Sequence, residues 1–321
     1  MRATSDGSPA RTWLEAKLID ATASEELRVL LGRHVSFDEP LARHTSLRVG
    51  GPADAVAAPQ SREQLLELCK LCRARALPLL VLGNGFNTLV RDGGVRGVVV
   101  RLHALRGLRR DEAGLVEAEA GVTHSTLTRF CAAEGLAGLE FAVGIPGTVG
   151  GWLRMNAGVP EREMKDVVER VAWLDAAKGT FVDVDAAQIG WSYRHVDLPA
   201  EAVIVAGTFR TRPDEPDAIR LRMQQGMEKR RATQPVDQPS CGSVFVNPPG
   251  DHAGRLIEAA GLKGRRHGAA RISELHANFI ITEGEARAAD VLALIDTAIE
   301  AVRDRFGVAL ETEVRIVGED E

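Results

Sequence analysis

The sequence predicts an α+β protein of two domains, and three observations carry that expectation. Its 321 residues are about twice the ~150 of a single domain. Strand-sized apolar runs mix irregularly with segments of helical period, without the regular alternation that builds a doubly wound parallel sheet. No segment repeats at a fixed period, so repeat architectures are out.

Apolar residues make up 45% of the chain and charged residues 26%, a balance that builds a globular core and excludes disorder, collagen and coiled coil. Forty Lys and Arg against 45 Asp and Glu give a net charge of −5. No overall positive field exists to hold nucleic acid or an acidic membrane, and neither is an expected partner; a local anion pocket stays open. No apolar run approaches the ~18 residues of a membrane span. The first residues lack the apolar stretch of a secretion signal, and the four cysteines (Cys69, Cys72, Cys131, Cys241) are too few for a disulfide scaffold. A cytoplasmic protein is expected. Cys69 and Cys72 sit inside a leucine pattern of helical spacing with no second Cys or His pair, so they read as helix residues and no metal site is expected.

In chain order, residues 1–40 read as a loosely attached extension with one short helix at 25–31 behind a Thr22/Glu25 capping pair. Residues 46–59 read as two short strands around Gly50-Gly51. Ser61 opens a helix with Gln64 in the capping-box position, and Pro78 ends it. Residues 77–83 form a buried strand that runs into a glycine-rich loop, and 96–102 and 114–121 are further strands before a helix at 125–133. Strands return at 167–176, 180–184 and 202–211, with a turn at Lys178-Gly179 and an interruption at Tyr193-Arg194. Pro213 and Pro216 mark a domain boundary near 212–217. Beyond it come a long basic helix, an apolar strand after Ser243, a helix closed by Gly261, a strand at 278–282, a helix at 285–306 and a strand at 308–318.

Two loops point to an anionic ligand. Gly83-Asn84-Gly85-Phe86-Asn87 follows a strand, and its glycines allow backbone N–H groups to approach phosphate. Neither a Walker loop nor a dinucleotide fingerprint is present. Gly144-Ile145-Pro146-Gly147-Thr148-Val149-Gly150-Gly151 packs four glycines and a proline into eight residues, a rigid extended backbone suited to wrapping something flat or charged. With Asn156-Ala157-Gly158 behind it, the pair suggests a long nucleotide with a pyrophosphate. Arg48, ahead of Gly50 and Gly51, is a third contact candidate.

The run of motifs TSLRVGGPAD (45–54), LGNGFNTLV (82–90), GIPGTVGG (144–151), MNAG (155–158), SYR (192–194), PSCGSVFVNPPG (239–250), AGRLIEAAGLKG (253–264), SELHANFI (273–280) and ETEVR (311–315) closely resembles the UDP-N-acetylenolpyruvoylglucosamine reductase (MurB) family, in its shorter type II build. The resemblance implies an FAD-binding region of the PCMH, or vanillyl-alcohol-oxidase, type at 41–212, in two lobes split near residue 102, and a smaller α+β substrate domain at 213–321. It implies non-covalent FAD, NADPH as reductant, and a UDP-sugar nucleotide carrying an enolpyruvyl group as substrate, handled by a monomer.

Reducing an enol ether conjugated to a carboxylate needs a hydride donor, an electrophilic clamp and an acid. The resemblance puts the last two at Arg194, Ser243 and Glu313. A guanidinium offers permanent charge and a bidentate fork. Ser243 would protonate the basic enolate carbon. Glu311 and Glu313 alternate, so as strand residues they would share a face with Arg315, which would support Glu313. Tyr193, Asn247 and Arg315 are the expected substrate contacts, and the cofactor falls to Arg48, Gly50, Gly51, residues 83–87, Gly144, Ile145, Gly147, Thr148, Gly150, Gly151, Asn156, Ala157 and Gly158. Three positions depart from the family pattern: Phe86 stands where a serine is usual, Val246 where a Lys or Arg is usual, and Trp152 is bulkier than the small residue usual after Gly150-Gly151. Arg230, Arg231, Arg255, Lys263, Arg265 and Arg266 are candidates for the missing charge. The departures at Phe86 and Val246 support a second reading, a non-catalytic flavin- or UDP-sugar-binding paralogue.

Overall fold

The Asp20 carboxylate accepts a hydrogen bond from the Ala23 N–H at 2.8 Å and opens α1 (Ala21–Leu31), satisfying one of the donors a helix start leaves unpaired. The computed structural model describes residues 19–321, so the amino-terminal part of the expected extension lies outside the described residues. The rest is no loose extension. Ala23, Leu27 and Leu31, one helical face, are buried in the core of the first lobe, and burying each leucine contributes about 1.5–3 kcal/mol. The cap is Asp20 rather than Thr22. The strand Val35–Pro40 then pairs antiparallel with Pro52–Ala57.

The first lobe is a four-stranded sheet in the order Val35–Pro40, Pro52–Ala57, Val95–Val100, Leu79–Val81, with the last three parallel. The crossover between its parallel strands is α2 (Arg62–Ala74), capped by Ser61, whose hydroxyl accepts from the Gln64 N–H at 3.2 Å. Cys69 and Cys72 are buried on its inner face, and burial pushes their thiols up to about 11 and about 12; they are packing residues. Two expectations need correction here. Residues 46–51 form a turn, because Leu47 and Val49 turn away from this sheet into the carboxy-terminal core. The strand Leu79–Val81 sits at the sheet edge with Val81 40% exposed, so it is not a buried strand.

The second lobe is a five-stranded antiparallel sheet in the order Thr180–Asp185, Val168–Asp175, Ala202–Phe209, Val116–Glu119, Leu108–Arg110. Against it pack α3 (His124–Ala133), started by the Thr123 hydroxyl, and the short α4 (Val149–Arg154). Tyr193-Arg194 forms the tip of a small hairpin, Trp191–Ser192 with His195–Val196. The long basic helix α5 (Pro216–Thr233) belongs by packing to this lobe: its buried Ile219 meets Ala132 and Ala137, and Arg222 bonds Glu140 and Asp214 at 2.7 and 2.6 Å. Helix α5 thus packs on this lobe although it follows the expected boundary; Pro216 opens the helix, and Pro213 lies in the short strand Arg212–Pro213, paired with Leu136–Ala137.

The carboxy-terminal part combines α6 (Ala253–Ala259) and α7 (Ala288–Phe306) with a three-stranded sheet of Arg266–His267, Ala270–Ile272 and Ile280–Thr282. Residues after Ser243 are not a regular strand. The buried Asn278 side chain takes the place of a strand neighbour, accepting from the Phe245 N–H at 2.9 Å and donating to its carbonyl at 2.8 Å. Of residues 308–318 only Arg315–Val317 is strand, paired parallel with Thr88–Val90 of the first lobe. That pairing, Leu47, Val49 and Leu89 buried in the carboxy-terminal core, and the Asp92 carboxylate accepting from Ala288 and Ala289 N–H at 2.8 and 2.9 Å fasten the two regions along one side. The fold is α+β, with two sheet-based lobes followed by a smaller carboxy-terminal part. Among the described residues no helix is long and apolar enough to cross a membrane.

Candidate active site

Beside that fastening, a cleft of about 420 Å³ opens between the regions. Arg194, Ser243 and Glu313, far apart in the chain, all line it. Arg194 sits at the hairpin tip in the left-handed region with φ 56°, a costly conformation that persists only when surroundings over-determine it. They do. Its Nε donates to Glu313 Oε1 at 2.9 Å, Nη2 to the Gly158 carbonyl at 3.3 Å and Nη1 to the Asn156 carbonyl at 3.5 Å. Its Nη1 also lies 3.5 Å from Glu163 Oε1.

Glu313 is held at the backbone: its N–H donates to the Val244 carbonyl at 2.8 Å, and its carbonyl accepts from Asn87 Nδ2 at 3.1 Å. Burial pushes its carboxyl above the usual range, against the opposing pull of Arg194. Such a carboxyl stays protonated to higher pH than a free glutamate and can donate a hydrogen bond. Ser243 follows Gly242, whose φ of 75° is open to glycine at little cost. The Ser243 hydroxyl bonds no other described residue. Cys241 beneath it is buried, and its thiol is pushed up to about 12, which suits packing and not nucleophilic chemistry.

The predicted substrate contacts separate. Tyr193 is 46% exposed with the Arg194 guanidinium 4.6 Å from its ring centre, and Asn247 lies near its hydroxyl. Asn247 accepts from the Ala253 N–H at 3.1 Å, at the start of α6. Arg315 is exposed and does not bond Glu313; its charge acts on Arg154 instead. The expected shared face fails because residues 308–314 are not strand, and Glu311 is left exposed outside the cleft.

Of the predicted cofactor residues, Phe86, Asn87, Gly144, Ile145, Gly151, Ala157 and Gly158 line the cleft. The backbone N–H groups of residues 83–87, and of Gly144, Gly147 and Thr148, meet no acceptor among the described residues. The two loops approach closely, since a Cβ on Gly83 would stand 3.2 Å from Thr148 Oγ1. Gly85, at φ 64°, leaves no room for a side chain: a Cβ would meet the His44 carbonyl at 2.5 Å. Clustered unpaired donors of this kind fit a dinucleotide pyrophosphate. Trp152 steadies the second loop by donating from Nε1 to the Ile145 carbonyl at 3.2 Å.

Other expectations need correction. Gly50 and Gly51 serve packing, because a Cβ would meet Val90 at 2.7 Å and the Asp92 carbonyl at 2.0 Å. Arg48 is exposed, outside the cleft lining. Gly150 lies against Ala120, to whose carbonyl its N–H donates at 3.0 Å. Asn156 is fully buried, and its amide bonds Glu163 and the Ser192 carbonyl rather than a ligand. Of the candidates for the charge missing at Val246, Arg255, Lys263 and Arg266 pair with Asp251, Glu258 and Glu283. Arg230 and Arg231 line the cleft. Glu163, His124 and residues 234–238 carry no signal of their own in the sequence. Asn156 of the MNAG motif, seven residues before Glu163, is the one signal that points to it.

Residues 53–185 match the FAD binding domain family, and residues 234–317 match the UDP-N-acetylenolpyruvoylglucosamine reductase, C-terminal domain family. Two relatives carrying the name UDP-N-acetylenolpyruvoylglucosamine reductase are similar over nearly the whole chain. One, from Anaeromyxobacter dehalogenans (strain 2CP-C), is 49% identical over 92% of this chain and 89% of its own. The other, from Syntrophus aciditrophicus (strain SB), is 46% identical over 94% of this chain and 98% of its own. A crystal structure of the reductase from Thermus caldophilus superposes with a TM-score of 0.75 at 36% identity, covering 88% of this chain and 98% of that one.

Proposed function

The chain belongs to the UDP-N-acetylenolpyruvoylglucosamine reductase family, and from that premise we propose that Arg194, Glu313 and Ser243 carry out its chemistry in the cleft described above. The protein is an FAD-dependent oxidoreductase that uses NADPH to reduce UDP-N-acetylglucosamine enolpyruvate to UDP-N-acetylmuramate in peptidoglycan synthesis. Bound FAD supplies the hydride. The unpaired N–H groups of residues 83–87 and of Gly144, Gly147 and Thr148 would hold its pyrophosphate, and Ile145, Gly151, Ala157 and Gly158 line the same cleft.

Arg194 and Glu313, whose carboxyl is raised by burial, receive the substrate carboxylate from one side. As hydride arrives at the neighbouring carbon, charge grows on that carboxylate, and a fixed guanidinium with a hydrogen-bond donor stabilises it without reorganisation. Ser243 then gives its proton to the enolate carbon. The observation that carries this reading is the 2.9 Å contact between Arg194 and Glu313 in the same cleft as an unengaged serine hydroxyl. Arg230 and Arg231 supply the positive charge that Val246 lacks, and Tyr193 and Asn247 flank the substrate. A binding-only paralogue is not favoured, since all three chemical side chains are present. We place the enzyme in the cytoplasm as a monomer, in keeping with four buried, unpaired cysteines among the described residues.

Replacing Ser243 by alanine tests the assignment. In anaerobic rapid mixing, flavin reduction by NADPH should continue at the parent rate, while reoxidation by the enolpyruvate slows by about 10²–10⁴-fold, the usual contribution of a positioned acid. Survival of both half-reactions would remove Ser243 from the mechanism.

A further inference from the structure

Arg194 is held from two sides by carboxylates, and only Glu313 has a part in the reaction so far. The other, Glu163, has a side chain 13% exposed. It stands on the short strand Arg162–Glu163 that pairs with Gly158–Val159. Its Oε2 accepts from Asn156 Nδ2 at 2.9 Å and lies 3.1 Å from Lys165 Nζ. Its Oε1 faces Arg194 Nη1 at 3.5 Å. The same Asn156 amide donates to the Ser192 carbonyl at 3.0 Å, within the hairpin that carries Arg194. Asn156 is fully buried, and its Oδ1 accepts from the Lys165 N–H at 3.0 Å. Gly158 allows the close approach, for a Cβ there would stand 2.6 Å from Glu163 Cα.

We propose that Glu163 is a positioning residue for this reaction: with Asn156 it forms a rigid frame that holds Arg194 in its left-handed conformation and aims the guanidinium at Glu313. The proposal rests on the reading that Arg194 and Glu313 receive the substrate carboxylate. A long flexible arginine aimed by one carboxylate alone would sample several orientations; fixed by two, it meets the substrate without reordering. Glu163 also takes up part of the guanidinium's charge, which weakens the pull that would otherwise ionise Glu313. The other charged and titratable groups facing this cluster are Lys165, 3.1 Å from Glu163, and Tyr193, Cys241 and Arg230, which feel the charges of Arg194 and Glu313.

The FAD-loaded enzyme with Glu163→Ala, Glu163→Gln or, as a control, Arg194→Lys would be followed in both half-reactions across pH. Glu163→Ala should slow reoxidation by the enolpyruvate about 10- to 100-fold, the scale of a small misplacement of a catalytic group, and leave reduction by NADPH within about twofold. Glu163→Gln keeps the shape and removes the charge. It should recover most of the rate, while the high-pH limb of reoxidation moves to lower pH, because the full charge of Arg194 then acts on Glu313. Equal slowing of both half-reactions would make Glu163 merely structural and overturn the proposal. So would wild-type rates with an unmoved limb in Glu163→Gln, which decides the matter if Glu163→Ala fails to fold. If Arg194→Lys also leaves reoxidation untouched, the clamp itself is misassigned, and the proposal falls with it.

Discussion

The FAD-binding region and the carboxy-terminal domain meet along two sides built from different materials. On the closed side the joint is backbone and apolar packing: the Arg315–Val317 strand on Thr88–Val90, Leu89 buried among carboxy-terminal residues, and Asp92 on the start of α7. On the open side it is side chains alone, with Arg194 reaching Glu313 across the cleft. Backbone pairing resists small displacements and carries no chemistry. Side-chain ion pairs are individually weak when partly hydrated, yet they are the groups that can exchange a partner within the joint for a substrate carboxylate. One face sets the distance between the two regions, and the other uses it.

That contrast can be broken from either side. The largest effect is expected on the open side: Arg194→Met should lower the enolpyruvate half-reaction by about 10³-fold, the scale of losing one preorganised electrostatic donor, with the thermal midpoint barely moved. A large drop in melting temperature would mean that the ion pair is structural after all. The pH profile sharpens the same side. Because burial raises the Glu313 carboxyl, its protonated form persists above the ordinary glutamate range, and a rate that needs that proton should fall about tenfold per pH unit once pH passes the raised value. Glu313→Gln cannot ionise and should flatten this limb at a reduced rate; a limb that stays in place belongs to another group. The smallest effect lies on the closed side, where Asp92→Ala removes the acceptor for Ala288 and Ala289 N–H and should cost about 1 kcal/mol in denaturant unfolding, with turnover nearly unchanged. Lost turnover at unchanged stability would show that the two sides do not divide the work as described.

The legible parts of the molecule were those where local chemistry leaves a local mark. Ser61 with Gln64, the leucines of α2 and the two glycine loops each announce themselves within a few residues. Arg194, Ser243 and Glu313 were found through a family pattern, since no short-range rule links residues 119 positions apart. What was missed depends on tertiary partners. Residues 308–314 alternate like a strand but find no sheet, so Arg315 turns away from Glu313. Helix α5 begins at the second of two prolines that look like a linker, and tertiary contacts, Ile219 with Ala132 and Ala137 and Arg222 with Glu140, assign it to the lobe before it. Asn156 looked like a ligand group beside a glycine and is a buried tie. Residues 21–40 looked peripheral because a single helical face, marked by one alanine and two leucines, is a faint signal in a polar stretch.

The parallel pairing of Arg315–Val317 with Thr88–Val90 has a consequence for the order of assembly. Asn87, at the end of the first glycine loop, donates to the Glu313 carbonyl 226 residues later in the chain. During synthesis the first lobe and the sheet of the second emerge and can collapse while their partner strand is still being made. The cleft therefore cannot close until nearly the whole chain has left the ribosome, and contacts of such long range are slow to form. Until then the edge at Thr88–Val90 is exposed, and the nascent chain is most open to mispairing in the interval just before its last strand arrives.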